Sequence, residues 1–250
     1  HLSQASFFKF QSRKFLNGMG ILTVFFLLAS CATVKVESSY KNPEVVLFHA
    51  NRVLVVGMTP DMKAREQFET KLQAEFRKRG VEAVRSIDLF DVAFTASKRT
   101  ETELDRVEQQ LLDKDFDAIL FTKLVDVETR RTLGLHISEM GKTYDRFRED
   151  YLIHQGIYYN LDGTPPKEDY YAETSLYCIC VGKERELIWR SEVRIQRTRN
   201  PDRVVRKYVK LLISALEKIT GDFTKAVVKA GEILAIRGQI IPVTCQKTRL

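Results

Sequence analysis

Side chains able to carry chemistry are sparse in this chain, and they do not gather into a reactive set. His49, His136 and His154 stand far apart with no paired HxH or HxxxH spacing, so each reads as a loop or core histidine rather than a metal ligand. Ser138 and Ser175 lack the flanking glycines of a nucleophile elbow. Asp126 and Glu128 alternate with Val125 and Val127, which makes a solvated strand face rather than an acid/base pair. Gly57-Met58-Thr59-Pro60 follows an apolar run, as a phosphate-binding loop does. It has none of the further glycines of such loops, and its proline removes a donor; Thr59 reads first as a capping hydroxyl. Arg130-Arg131 falls just past a predicted central strand, at the carboxyl end of the sheet where open α/β folds place ligands. The two arginines read first as a solvated turn, and Thr59, Arg130 and Arg131 are the candidate contacts for a small anion as the alternative. No catalytic residue, metal site or cofactor is predicted.

The cysteines divide into one with a clear context and three without. Cys178 and Cys180 flank Ile179 on a predicted strand and point to one face, where a bond between them meets unfavourable geometry. They are expected to be small buried hydrophobes, with a bridge from Cys245 to one of them as the alternative in an oxidising compartment. Cys31 ends the run Ile21-Leu22-Thr23-Val24-Phe25-Phe26-Leu27-Leu28-Ala29-Ser30. The residues ahead of it include Lys9, Arg13 and Lys14 and no acids, as in the charged region of a secretory signal. The apolar run is about a dozen residues, short of the roughly 20 that a membrane span needs. An apolar stretch ending Leu-Ala-Ser-Cys resembles the lipobox of a bacterial lipoprotein signal peptide. That resemblance implies removal of residues 1–30 and lipidation of Cys31, with palmitate among its acyl chains. The alternative is an uncleaved N-terminal anchor, and either reading attaches the protein to a membrane. The chain opens on His1 rather than Met, so its true start is expected to be missing or misassigned.

Without residues 1–30 the chain has three fewer cations than its full 40, leaving 37 against 33 acids and a net charge of +4. Both signs are interspersed, unlike the concentrated basic face of a nucleic-acid binder, so no nucleic-acid partner is predicted.

The elements that would position these side chains are readable in order. Residues 31–50 are expected to be a tether, with an edge strand at 45–48 as an addition. Val53-Leu54-Val55-Val56-Gly57-Met58 reads as a strand buried on both faces. Thr59-Pro60-Asp61 reads as a helix start with the hydroxyl as cap, Phe68, Leu72 and Phe76 as the helix's buried stripe, and Gly80 as its stop. Residues 81–86 form the next strand. Thr100 and Glu103 make a capping box for a helix with Leu104, Val107 and Leu111 inward. Residues 117–128 give a long central strand.

Residues 130–169, rich in glycine and tyrosine, read as an irregular insertion, either a lid over the core or a partner surface. Residues 170–181 and 187–196 form a hairpin with one wet side. In it, Leu187, Trp189, Val193 and Ile195 face the core, and Arg190, Glu192, Arg194 and Gln196 face water. Asn200-Pro201-Asp202 starts a closing helix that Gly221 stops, and 222–250 is a further helix or tail.

Two segments together resemble a group of small bacterial envelope lipoproteins. One is the strand Val53-Leu54-Val55-Val56-Gly57-Met58 with Phe68-Glu69 and Gly80-Val81-Glu82-Ala83-Val84. The other is Glu186-Leu187-Ile188-Trp189-Arg190 with Asn200-Pro201-Asp202. The pattern is also similar, at fold level, to curli-secretion and flagellar accessory lipoprotein modules. The expected fold is α/β, with α+β as the alternative: a mixed sheet with two strand–helix units over 51–221, an antiparallel hairpin and a covering helix. The expected function is that of a non-enzymatic interaction or scaffolding module of the bacterial envelope. It would be lipid-anchored through Cys31, with the outer membrane facing the periplasm as its place and envelope proteins as partners. The alternative is a binder of a small anionic ligand or cell-wall fragment at the carboxyl end of the sheet.

Overall fold

The chain divides into units of residues 1–33 and 34–250. The computed structural model describes residues 34–43, 45, 48, 50–90, 92–126, 146–159, 169–179, 186–196 and 200–220, all in the second unit. Cys31, Arg130, Arg131, Cys180, Cys245 and the tail 222–250 lie outside the described residues. Among the described residues no helix is long and apolar enough to cross a membrane.

The protein is α/β. Strands β1 (Val34–Lys41), β2 (Arg52–Met58), β3 (Glu82–Arg85), β4 (Ala118–Asp126), β5 (Tyr170–Cys178) and β6 (Leu187–Ile195) form one sheet in the order β1-β6-β5-β4-β2-β3. β2 is parallel to β3 and β4; β5, β6 and β1 continue the sheet antiparallel. Helices α1 (Met62–Arg77) and α6 (Pro201–Thr220) belong to one face. Helices α4 (Glu101–Leu112) and α5 (Phe147–His154), with the 3-10 turn Gln155–Tyr159, belong to the other. Two short helices, α2 (Ser86–Leu89) and α3 (Val92–Ala96), lead from β3 towards α4.

Local chemistry explains most boundaries. α4 starts on a complete capping box: Glu103 N donates to Thr100 Oγ1 at 3.3 Å and Thr100 N to Glu103 Oε2 at 2.7 Å. At α6, Asn200 Oδ1 accepts from Arg203 N at 3.0 Å and Pro201 is the first helical residue, as Asn-Pro-Asp predicts. Thr59-Pro60-Asp61 differs. The cap is Asp61, whose Oδ1 accepts from Lys63 N and Ala64 N at 3.0 Å, and Thr59 Oγ1 instead accepts from Asp61 N at 3.3 Å. A carboxylate outcompetes a hydroxyl for the positive end of the helix, so the start shifts two residues on. α1 and α4 end alike. Gly80 and Asp115 take φ of 74° and 58°, and the next amides, Val81 N and Phe116 N, return to Phe76 O and Leu111 O at 3.1 and 3.0 Å.

Three expectations are corrected. The segment expected as a tether contains β1, an edge strand paired along its length with β6. Trp189 Nε1 donates to Ser39 Oγ at 2.9 Å and Ser191 Oγ to Ser38 O at 3.0 Å, so short polar side chains hold a strand whose hydrophobic pattern is faint. Val45 and Phe48 are buried in the core, and neither belongs to a strand. The insertion 130–169 is not irregular throughout, since α5 and the 3-10 turn lie inside it with Tyr151 and Tyr158 buried. Finally, the β5–β6 hairpin has no wet side at its centre. Arg190 and Glu192 are 1% and 3% exposed, while Arg194 and Gln196 are exposed. A bulge between Leu176 and Tyr177 in the register turns Leu187 to the α4/α5 face, while Ile188 and Trp189 both join the α1/α6 face.

Candidate functional site

The strand register assembles a buried polar cluster on the α4/α5 face. Lys123 on β4 stands opposite Glu173 on β5, and Glu173 opposite Glu192 on β6; Ser175 stands opposite Arg190. Alternate residues of a strand share a face, so Lys123, Glu173, Ser175, Tyr177, Arg190 and Glu192 converge. α5 lays Asp150 and His154, one turn apart, over them. Lys123 Nζ lies 2.5 Å from both Asp150 Oδ1 and Glu173 Oε1. Tyr177 OH donates to Asp150 Oδ2 at 2.6 Å, Arg190 Nη2 to Tyr177 OH at 2.8 Å and Arg190 Nε to Ser175 Oγ at 2.8 Å. Arg190 also lies 3.6 Å from Asp150 Oδ2 and from Glu173 Oε1. His154 Nδ1 is 2.8 Å from both the backbone carbonyl and Oδ1 of Asp150; two acceptors there require that nitrogen to carry the proton.

Burial and charge oppose one another here. Lys123, Asp150 and His154 are 0% exposed, which disfavours every charge among them. Burial pushes the Asp150 carboxyl up, but the Lys123 ammonium, with His154 and Arg190, outweighs it and holds Asp150 below the ordinary carboxylate range. Burial, then the Asp150 charge, pushes the Tyr177 phenol well up, so it stays a neutral donor. Burial lowers Arg190, yet Tyr177, Asp150 and Glu173 together raise it further. Lys123 and Arg190 thus lie among the carboxyl groups of Asp150, Glu173 and Glu192, and the cluster's chemistry is attachment: it binds α5 to three strands.

A second buried set fills the carboxyl end of β2. Glu69 Oε1 accepts from Gly57 N at 2.9 Å, Arg65 Nε at 3.1 Å and Ser86 Oγ at 2.7 Å, and Oε2 accepts from Ile87 N at 3.1 Å. Arg65 Nη2 donates to Ser86 Oγ at 2.8 Å and its guanidinium lies 5.3 Å from the Tyr158 ring centroid. The chain's own carboxylate therefore occupies the position where an open sheet of this type would receive an anion. Packing around Gly57 is close: a Cβ on it would lie 3.3 Å from Phe68 Cδ1 and 3.4 Å from Arg65 Cγ, so those side chains would have to give by a few tenths of an ångström. Beside this set a cavity of about 10 Å³, lined by Arg65, Ser86, Phe90, Phe94, Tyr151 and Tyr158, has room for one water at most.

Of the residues proposed from sequence, Thr59 is 7% exposed and its Oγ1 accepts from Asp61 N at 3.3 Å. Arg130, Arg131 and Cys31 lie outside the described residues. His154 is the core histidine expected of it. Cys178 is not a free buried thiol but forms a disulfide, whose partner lies outside the described residues. Among the described residues no group of three or more His, Cys, Asp or Glu could hold a metal ion. The cluster itself escaped the reading of the sequence, although a signal existed. Lys123, Glu173 and Arg190 each interrupt the middle of an apolar strand, with signs that can cancel.

No protein-family model matches the chain, and no curated protein matches it. Among solved structures, the PelC dodecamer from Paraburkholderia phytofirmans is similar to it over 68% of this chain and 92% of its own. The identity is 8% and the TM-score 0.32, a likeness too shallow to carry an argument.

Proposed function

We propose that this protein is a lipid-anchored module of the bacterial envelope that works through contacts with other envelope proteins, on the periplasmic side of the outer membrane. The observation that carries this reading is the run Leu28-Ala29-Ser30-Cys31, a lipidation signal set directly before a folded domain. Two features support it. The disulfide at Cys178 suits an oxidising compartment. The two buried polar sets are joined internally, through Asp150 and through Glu69, as structural attachments. The anion-binding alternative would have to use a largely buried Thr59 beside Glu69, whose carboxylate is seated at the end of β2.

Replacing Cys31 by Ser should move the full-length protein from the membrane to the soluble fraction and remove the lipid mass from its N-terminus. Retention on the membrane would overturn the lipoprotein reading. Crosslinking in intact cells should then recover a defined envelope protein from the wild type and lose it in C31S. Recovery of none would overturn the interaction role.

A further inference from the structure

β1 begins at Val34, so only Ala32 and Thr33 separate it from Cys31. Three residue steps reach at most about 11 Å even when fully extended. If Cys31 carries lipid, the first residue of β1 is therefore confined to the headgroup region, because a bilayer's headgroup layers add several ångströms beyond its roughly 30 Å core. The register says which end of the domain this is. Val34 pairs with Ile195, Ile195 with Tyr170, and Tyr170 with Asp126. That row is where β4 and β6 finish; one helix start, at Pro201, follows the end of β6, and Met62 follows the end of β2.

We propose that this end of the sheet rests on the phospholipid surface in which the protein is anchored, and that the Gly80 end points away from it. The inference rests on the lipoprotein reading above. Surface chemistry at this end suits a lipid interface. Among the described residues three large apolar side chains are well exposed, and two of them, Val36 at 43% and Met62 at 49%, lie here. Lys63 and Arg203, both exposed, are placed at the same end and can meet anionic headgroups. Of the acids at this end, Asp61 caps α1, Glu37 pairs with Lys35, Asp169 with Arg194, and Asp202 with Lys71 and Arg206. A short connection also makes the orientation specific, since a domain held this closely cannot turn its far end to the membrane.

The test places a photoreactive side chain at Met62, or at Lys78 beside the far turn, in the full lipidated protein. Each variant is reconstituted in vesicles of phosphatidylethanolamine and phosphatidylglycerol, and phospholipid adducts are read by mass. Position 62 should yield at least several-fold more adduct than position 78, and removing the lipid by C31S should abolish the difference. Equal yields, a reversed preference, or no adduct at either position in protein whose intact mass includes the lipid would overturn the orientation alone. A wild-type protein whose intact mass lacks the lipid would overturn the lipoprotein reading instead.

Discussion

The two faces of this sheet are made by alternate residues of the same strands, and they are closed in different ways. On the α1/α6 side, β4 and β5 present Leu120, Thr122, Ala172, Thr174 and Leu176 to a wall of Phe68, Leu72, Leu212 and Leu216. Over β4 and β5 the polar groups form a chain of hydroxyls, with Thr122 Oγ1 2.7 Å from Thr174 Oγ1 and Thr174 Oγ1 2.5 Å from Tyr208 OH; the buried Arg65–Glu69 pair lies apart from it, at the end of β2. On the α5 side, the next residues along are Lys123, Glu173, Ser175 and Tyr177, closed by Asp150 and His154. The first face holds a 20-residue helix by area, since each fully buried Leu or Phe contributes about 1.5–3 kcal/mol. The second holds an eight-residue helix by direction. α5 is too short to be stable on its own, and a carboxylate aimed at fixed donors sets its position as apolar contact alone would not. Specificity of placement, rather than added stability, is the expected benefit of such a cluster.

The sharpest way to break this contrast is Asp150→Ala. It leaves Lys123 and Arg190 buried without the carboxylate that joins both to α5 and should cost about 3–5 kcal/mol in denaturant unfolding. A loss below about 1 kcal/mol would mean that the cluster is not what holds α5. Lys123→Met combined with Asp150→Leu should cost less than either single change, because it removes the unpaired charge with its partner. Leu212→Ala, on the other face, should cost about 2–5 kcal/mol through lost packing, with no dependence on pH.

The pH profile separates the faces further. Asp150 binds a proton less readily when folded, so its contribution is full above the unfolded carboxylate value of about 4 and is lost as pH falls towards the folded one. Wild-type stability should therefore fall on acidification below about pH 5, and Asp150→Asn should flatten that slope. An unchanged slope would place the acid sensitivity elsewhere. The smallest effect is expected from Tyr208→Phe, which removes the last hydroxyl of the Thr122–Thr174 chain and should cost about 1 kcal/mol. A much larger loss would show that this face, too, is held by its polar groups.

Much of the architecture was legible. β2, α1, β3, α4, β4 and the hairpin each have a local signature: a β-branched run, a four-residue apolar stripe, a cap, a glycine. Those signals act between neighbours in the chain. What escaped notice depended on partners distant in sequence. β1 has few apolar residues and is a strand because β6 offers its edge. Arg190 and Glu192 alternate with core residues as a solvated face would, yet both are buried, Arg190 beneath Asp150 of α5. α5 itself was hidden in a glycine- and tyrosine-rich segment, because its inward residues include Asp150 and His154 and so break the apolar periodicity. At the carboxyl end of β2, strand–loop–helix order suggested an anion site, and Glu69, twelve residues on, fills it.

By itself, then, the sequence determined the α/β alternation, the capping box of α4 and the Asn-Pro start of α6, since each is written in contiguous residues. Tertiary structure alone decided which charges are buried, which carboxylate meets which cation, and at which end of the sheet β1 begins. Those outcomes depend on strand register and on what covers a face, and register joins residues that the chain keeps far apart.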